Sequence, residues 1–187
     1  MSAPFIDDGN QLRIRKATPS DAARVVELVN GSYRPARDEG GWTHENMHIQ
    51  GTRLTAEQYQ HEFSRSNSLI YLGLFQNDIV SSIQLSYEEG RSVKFSLLAV
   101  APRFQSKGYG SIMLEHAEKN SRLHWSCTTA ILWFLSTRAE LITYYERRGY
   151  MHAGDTLDYP LDAGVGTPRT TGLCLQMMQK CLIRAEE

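Results

Sequence analysis

The sequence contains few cysteines, and their positions point to no structural role. Cys127, Cys174 and Cys181 are odd in number and show no Cys-x-x-Cys spacing. Structural zinc sites and disulfide frameworks use paired or closely spaced cysteines. We therefore predict neither, we expect no metal site, and we expect free thiols in a cytoplasmic protein.

Long hydrophobic runs and an excess of one charge are also absent. No apolar stretch approaches the ~18 residues of a membrane-spanning helix, and Met1 to Gln11 lack the apolar segment of a signal peptide. The 20 Lys and Arg side chains are balanced by 21 Asp and Glu, which leaves a net charge of −1. Neither nucleic acid nor a membrane is expected as a partner, because both attract proteins with a basic excess.

The stretch Val93–Leu114 combines a strand, a glycine-containing loop and a helix. The strand alternates apolar and polar residues at first, and its end, Leu97–Val100, is continuously apolar. Such a run is typical of a strand end that is covered on both faces. The loop Gln105–Gly110 then opens directly into a helix. Free N–H groups and the helix dipole at this kind of junction bind anions, most often phosphate.

The rest of the chain alternates between predicted strands and helices. Strands are predicted at Leu12–Ala17, Leu69–Phe75, Ile79–Leu85, Ala130–Leu135, Tyr150–Thr156 and Thr171–Met178. Helices are predicted after Thr18, after Thr55, after the loop and over Ala139–Arg148. In the helix after the loop, Ile112, Met113 and Ala117 are expected to face inward. The order β-α-α-β-β-β-α-β-α-β-β predicts a mixed α/β fold. The chain length suits one domain over residues 1–187.

Two motifs connect this order to a known family. Gln105-Ser-Lys-Gly-Tyr-Gly110 has the form Q-x-x-G-x-G, and about forty residues later Tyr144-Tyr-Glu-Arg-Arg-Gly-Tyr150 ends a helix. A dinucleotide-binding fingerprint would need a glycine at Met113, and a P-loop would need Gly-Lys-Ser/Thr, which is absent. The motifs and the element order over 12–178 resemble the GNAT superfamily of N-acetyltransferases.

The resemblance implies a central, mostly antiparallel mixed sheet with a parallel βαβ unit that binds acyl-CoA, flanked by helices. In the family the loop amides hold the coenzyme A pyrophosphate, and the pantetheine arm pairs with the preceding strand where two parallel strands separate. The matching positions here are Gln105, Ser106, Lys107, Gly108, Tyr109, Gly110 and Ser111 for the phosphates and Leu98, Ala99 and Val100 for the arm. Arg138 replaces the asparagine of many members, so its contact with coenzyme A is left open.

The catalytic residues are less well defined. Tyr145 matches the family tyrosine that protonates the departing thiolate, although an aromatic residue on this helix face also suits core packing. The glutamate that many members carry on the strand before the loop is missing, because Lys94 and Ser96 stand there. The general base is therefore open between a water chain and the side chains of His44, Glu45, His48, Asp155 and Asp158.

The segment Ser32–Arg53 has no regular period, and long aperiodic segments in compact domains are often functional. Tyr33, Trp42, His44 and Glu45 are accordingly predicted to bind substrate, with His44 and Glu45 also as catalytic candidates. The resemblance implies acetyl transfer from acetyl-CoA to a small-molecule amine by direct attack in a ternary complex. A peptide or protein acceptor, a non-catalytic coenzyme A sensor and a homodimer through the C-terminal strands are left open.

Overall fold

The computed structural model describes residues 11–35, 41–42 and 44–183. Its α-helices are α1 (Ala22–Tyr33), α2 (Ala56–Ser64), α3 (Tyr109–Trp125) and α4 (Ala139–Glu146). Its strands are β1 (Arg13–Lys16), β2 (Ile49–Gln50), β3 (Ser68–Phe75), β4 (Asp78–Glu88), β5 (Ser92–Val100), β6 (Thr129–Leu135), β7 (Met151–Asp158), β8 (Thr167–Pro168) and β9 (Cys174–Cys181). None of these helices is long and apolar enough to cross a membrane.

Seven strands form one sheet in the order β1-β3-β4-β5-β6-β9-β7, and β2 pairs with β8 in a separate two-stranded sheet. Within the large sheet β5 and β6 are parallel, and the other neighbours are antiparallel. Helix α3 connects the parallel pair. The predicted mixed, mostly antiparallel sheet with one βαβ unit is thus confirmed.

The core has a layer on each face of the large sheet. Helices α1 and α2 pack on one face, where the buried side chains include Val25, Val29, Tyr59, Leu72 and Leu97. Helix α3 and the end of α4 cover the other face, with Ile83, Leu85, Phe95, Met113 and Tyr145 among the buried residues. The apolar periods of the predicted helices therefore face the sheet, as amphipathic helices require.

Two details of the sequence-based prediction are wrong. The last strand begins at Cys174 and not at Thr171, because Gly172 adopts a left-handed conformation (φ 73°) and the strand follows the register of β6 as far as Cys181. Ile112 was expected to face inward but is 41% exposed, since the inward face of α3 passes through Met113, Leu114 and Ala117.

An irregularity in β5 prepares the site. Residues at alternate positions of a regular strand face the same side of the sheet. Val93 and Phe95 pack on the α3 face, but Leu97 and Ala99 pack on the α1 face. The change comes from a bulge in the β4–β5 pairing, where Leu97 takes a positive φ of 49°. Leu98 is thereby turned toward the α3 face.

A buried carboxylate ties the start of α1 to β1, and it generates a stability prediction. Both oxygens of Asp21 accept hydrogen bonds from Arg15 (2.7 Å each), and the Thr18 backbone N–H and hydroxyl add two more (2.8 Å each). The Arg15 hydrogen bonds are the largest of the effects that hold the pKa of Asp21 well below its usual range. The charged carboxylate therefore stabilises the folded state.

We expect Asp21→Asn to lower the free energy of unfolding at pH 7 by about 2 kcal/mol, the scale of hydrogen bonds to a charged group. A depressed pKa contributes stability above the ordinary aspartate pKa of about 3.9, and the contribution is lost as pH falls below it. Urea titrations from pH 7 to pH 3 should show the variant and the wild type converging. Asp78→Asn, whose carboxylate is 63% exposed, is the control and should change little.

Candidate active site

A cavity of about 620 Å³ opens where β5 and β6 separate. The two strands pair from Ser92–Thr129 to Phe95–Leu132 and no further, so the second half of β5 has no neighbour on this side. The start of α3, the inner face of α4, the segment after α1 and the loop after β7 complete the walls. The splayed strands that the family resemblance implied are thus present.

Backbone groups of Val100 face this gap. The N–H of Ala101 donates to Val80 O (2.9 Å), and in an antiparallel pair the amide groups alternate in direction, so those of Val100 turn away from β4. The Val100 carbonyl accepts from Ser32 Oγ (3.1 Å) and Gln105 Nε2 (3.0 Å). Its N–H lies beyond the last β5–β6 pair and can donate to a group bound in the gap.

The N-terminus of α3 supplies further donors. The first helical hydrogen bond runs from Ile112 N–H to Gly108 O (3.1 Å), so the N–H groups of Tyr109, Gly110 and Ser111 have no partner within the helix. All three residues line the cavity. Together with the positive end of the helix dipole, they form an arrangement that binds phosphate.

The two glycines of the loop are needed for different reasons. Gly108 caps α3 with φ 83°, a left-handed conformation that favours glycine, and a Cβ there would meet open space. Gly110 has helical geometry, but a Cβ would lie 2.9 Å from the Tyr144 hydroxyl. The first glycine is thus favoured by the backbone conformation at the start of α3, and the second is required by the close approach of Tyr144 in α4.

The inner face of α4 forms one wall. Leu141, Tyr144, Tyr145 and Arg148, which share one helical face, all line the cavity. Arg148 lies over the Tyr144 ring at 3.6 Å, and its Nε donates to Ser111 Oγ (3.1 Å), which brings a cation to the start of α3. This wall therefore carries both aromatic rings and positive charge beside the α3 amides.

Tyr145 is packed tightly beneath the cavity. Its ring contacts Phe134 (5.9 Å between centroids), Tyr144 (5.1 Å) and Tyr150 (5.7 Å). Burial raises the pKa of the Tyr145 phenol, and the nearby Arg138 and Arg148 oppose the rise only in part. The phenol is therefore protonated at neutral pH and can donate a proton into the cavity.

The opposite end of the cavity is rich in charge. Arg34 Nη2 contacts Glu45 Oε2 at 3.0 Å, and both side chains are largely buried. Arg53 lies over the Tyr33 ring at 5.4 Å, and Arg138 is only 3% exposed. Among the residues that the structure describes, Glu45 is the only carboxylate in the cavity wall.

Most of the residues predicted from the sequence reach this cavity. Its walls include Tyr33, Trp42, Glu45, Leu98, Val100, Gln105, Ser106, Gly108, Tyr109, Gly110, Ser111, Arg138 and Tyr145. Ala99, Lys107, His44, His48, Asp155 and Asp158 are not part of the lining. Ala99 packs toward α1, and the Lys107 ammonium lies over the Phe104 ring at 5.0 Å.

The structure adds wall residues that the sequence analysis did not single out, chiefly Arg34, Arg53 and Tyr159. They come from the end of α1, the turn before α2 and the loop after β7. The Tyr159 hydroxyl donates to Val165 O (2.9 Å) and Arg34 Nη2 to the same carbonyl (3.1 Å). No periodicity marks these positions, because contacts between distant segments bring them together.

A parallel strand pair that separates beside a helix N-terminus is the arrangement of an acyl-CoA-dependent transferase fold. The Acetyltransferase (GNAT) family model matches residues 25–150, which is more than half of the chain. The protein therefore belongs to the GNAT acetyltransferase family. It is an enzyme of the N-acetyltransferase class, and the acyl donor of this family is acetyl-CoA.

Solved structures share the fold at low sequence identity. The ribosomal-protein-S18-alanine N-acetyltransferase from Escherichia coli is 15% identical, with 95% of this chain and 97% of that chain covered and a TM-score of 0.67. Mutant forms of the spermidine/spermine N-acetyltransferase from Vibrio cholerae are 16% identical, with 92% of this chain and 95% of that chain covered and a TM-score of 0.63. An acetyltransferase of the GNAT family from Staphylococcus aureus is 12% identical, with 92% of this chain and 100% of that chain covered and a TM-score of 0.65. No curated protein matches the chain by sequence.

The conformation of Gly108 gives a paired prediction. Gly108→Ala should lower the free energy of unfolding by about 1 kcal/mol, because a left-handed conformation is strained for alanine, and should weaken coenzyme A binding if the cap shifts. Gly31→Ala adds the same methyl group inside α1, where nothing lies within 4 Å, and should stabilise the protein instead. Urea denaturation and calorimetric titration with coenzyme A measure both effects; equal stability changes would contradict this explanation.

Proposed function

We propose that this enzyme transfers the acetyl group of acetyl-CoA to the amine of a small molecule, with both substrates bound at once. The observation that carries the proposal is that the segment before α2 and the loop after β7 both line the cavity and are hydrogen-bonded to each other. A peptide acceptor needs a groove that is open where the chain enters and leaves. A cavity of about 620 Å³ that also takes the end of the pantetheine arm leaves room for a small acceptor.

Several contacts join the segment before α2 to the loop after β7. Ile49 of β2 pairs with Pro168 of β8, and the Arg169 N–H donates to His48 O (2.8 Å). Gln58 Nε2 reaches across to the carbonyls of Ala163 and Gly164 (3.1 Å each). These bonds join the two segments beside the cavity, which leaves less space for a peptide chain to enter and leave there.

The residues of the gap fit the pantetheine and phosphate groups of the donor. Leu98 and Val100 offer the strand edge, and Gln105 to Ser111 offer the amides at the start of α3. Arg148 would add positive charge beside Ser111. When bound, acetyl-CoA supplies an activated thioester carbonyl.

Two groups of the chain would assist the transfer. The Val100 N–H can donate a hydrogen bond to the carbonyl oxygen under attack, which stabilises negative charge as it develops there. The Tyr145 phenol can donate its proton to the departing thiolate, since burial keeps this phenol protonated. Holding the amine and the carbonyl in one cavity supplies a further part of the rate.

The acceptor amine must lose a proton before or during attack. Glu45 lines the cavity, but Arg34 holds its carboxylate, which makes direct proton abstraction less favourable. At neutral pH most of a small amine is protonated, and only its deprotonated fraction can attack the thioester. We therefore infer that the proton leaves through water, with Glu45, the only carboxylate in the described cavity wall, as a candidate to receive it. His44 lies outside the cavity wall, and its role as a base stays a prediction.

Tyr145→Phe tests the proton donor. Removing the hydroxyl should lower kcat by about 100-fold or more, the usual contribution of a general acid, while the Kd of coenzyme A stays unchanged because the ring packing is kept. Tyr87→Phe, at the far side of the fold beside Trp125, is the matched control. Thiol release and calorimetry measure the two quantities. Full activity in the Phe variant would remove Tyr145 from the mechanism.

The pH dependence of the same step follows from the environment of Tyr145. Its pKa lies above the ordinary tyrosine value of about 10, so the acid is lost only as pH rises beyond that value. We expect kcat at saturating acceptor to show no decline between pH 7 and pH 9.5. A fall within that range that disappears in Tyr145→Phe would mean that the phenol titrates lower than its burial implies.

A further inference from the structure

Arg138 is a buried cation whose hydrogen bonding is incomplete. It precedes α4, lines the cavity and is only 3% exposed. Its Nε is bound to Glu140, but its Nη2 is buried and has no hydrogen-bond partner among the described residues. A buried donor without a partner is costly, typically about 1–3 kcal/mol. An acceptor group brought by a ligand would remove that cost.

The cavity wall as a whole carries excess positive charge. Its charged side chains are Arg34, Arg53, Lys94, Arg138 and Arg148 on the positive side and Glu45 alone on the negative side, within the described part of the chain. Glu45 is already paired with Arg34, and two of the cations are paired with carboxylates that do not line the cavity, Arg138 with Glu140 and Lys94 with Glu88. Arg148 lies beside the start of α3, where the donor phosphates are expected. Arg53 has no carboxylate partner in the described residues, so the acceptor end keeps a net positive charge.

Arg138 and Arg53 lie near the tyrosines of the cavity wall. Arg53 stacks over Tyr33, and the Tyr33 hydroxyl donates to Leu98 O (3.1 Å) at the edge of the strand gap. Burial raises the pKa of Tyr33 and of Tyr145, and Arg138 is near enough to both phenols to oppose the rise. A group bound to Arg138 would therefore lie near the Tyr145 phenol, the proposed proton donor to the leaving thiolate.

We propose that the acceptor is an amino acid or a closely related amine, whose carboxylate binds Arg138 with the support of Arg53. The inference rests on the proposed function and specifies its substrate class. In an α-amino acid a single carbon separates the amine from the carboxylate, so Arg138 would hold the amine near Tyr145. A guanidinium suits this task, because it donates to a carboxylate in a fixed planar geometry. Polyamines are disfavoured, because they would add positive charge to a wall that already carries an excess.

The first experiment compares matched acceptors with the wild-type enzyme. Each amino acid is assayed for thiol release from acetyl-CoA beside its own amide and its decarboxylated amine, and spermidine is included. The amide is less basic than the amino acid, so a preference for the amino acid cannot arise from easier deprotonation. We expect kcat/KM for the best amino acid to exceed that of its amide by about 10- to 100-fold, the range of a charge-assisted hydrogen bond.

The second experiment uses variants of the cation. Arg138→Gln should bring the amino acid to amide ratio close to 1, mainly by raising KM for the amino acid, and should leave the Kd of coenzyme A unchanged. Arg138→Lys keeps the charge and should restore part of the ratio. Arg147→Gln removes the same charge from an exposed position at the end of α4 and is the matched control. If Arg138→Gln does not fold, the amino acid to amide ratios of the wild type and of Arg53→Gln still test the proposed carboxylate site.

The possible results separate this inference from the proposed function. Acetylation of amides or spermidine as efficiently as amino acids would overturn the carboxylate site and leave the acetyltransferase function intact. An unchanged ratio with weaker coenzyme A binding in Arg138→Gln would assign the residue to the donor and overturn the inference. An equal loss of kcat for the amino acid and for its amide would indicate that Arg138 acts on the leaving thiolate, and it would also overturn the inference. Failure to acetylate any amine in the panel would overturn both proposals.

Discussion

The separation of β5 from β6 is the constraint on which the site depends. Parallel pairing stops at Phe95 and Leu132, and two residues later Leu97 adopts a positive φ of 49°. Such a conformation costs a non-glycine residue about 1–2 kcal/mol. The buried Leu97 side chain packs against the α1 layer and offsets that cost. The bulge therefore holds Leu98 and Val100 at a strand edge that stays unpaired, where a substrate can add its own hydrogen bonds.

The wall that carries Tyr145 is supported from below by a buried charged network. The Tyr150 hydroxyl donates to Glu118 Oε1 (3.0 Å), and Lys180 Nζ contacts both oxygens of Glu118 (2.9 and 2.8 Å). These hydrogen bonds connect α3, β9 and the turn after α4. Because Tyr150 packs edge-on against Tyr145, the network fixes the ring that the proposed proton transfer requires. A satisfied network of this kind makes a rigid floor for the cavity.

Local signals predicted much of the fold and the donor half of the site. The capping box of Thr55 and Gln58 marked the start of α2, and the buried strand, glycine loop and helix around Gly108 marked the βαβ unit. The acceptor half of the site is not predictable from such local signals. Arg34, Arg53 and Tyr159 meet only because the segment before α2 packs against the loop after β7, and no local pattern encodes a contact over that separation. The start of β9 was misplaced for a related reason, since its register depends on β6.

One side chain connects the two halves of the site. Gln105 accepts from the Trp42 N–H (3.0 Å) with its oxygen and donates to Val100 O (3.0 Å) with its nitrogen. Gly41 lies directly beneath it, where a Cβ would be 2.0 Å from the Gln105 oxygen. The Gln105 side chain thus links the segment after α1, which we call the acceptor loop, to the loop before α3. Exchanging the acceptor loop between relatives to alter selectivity would succeed only if the glycine, the following N–H and the glutamine were transferred as a unit.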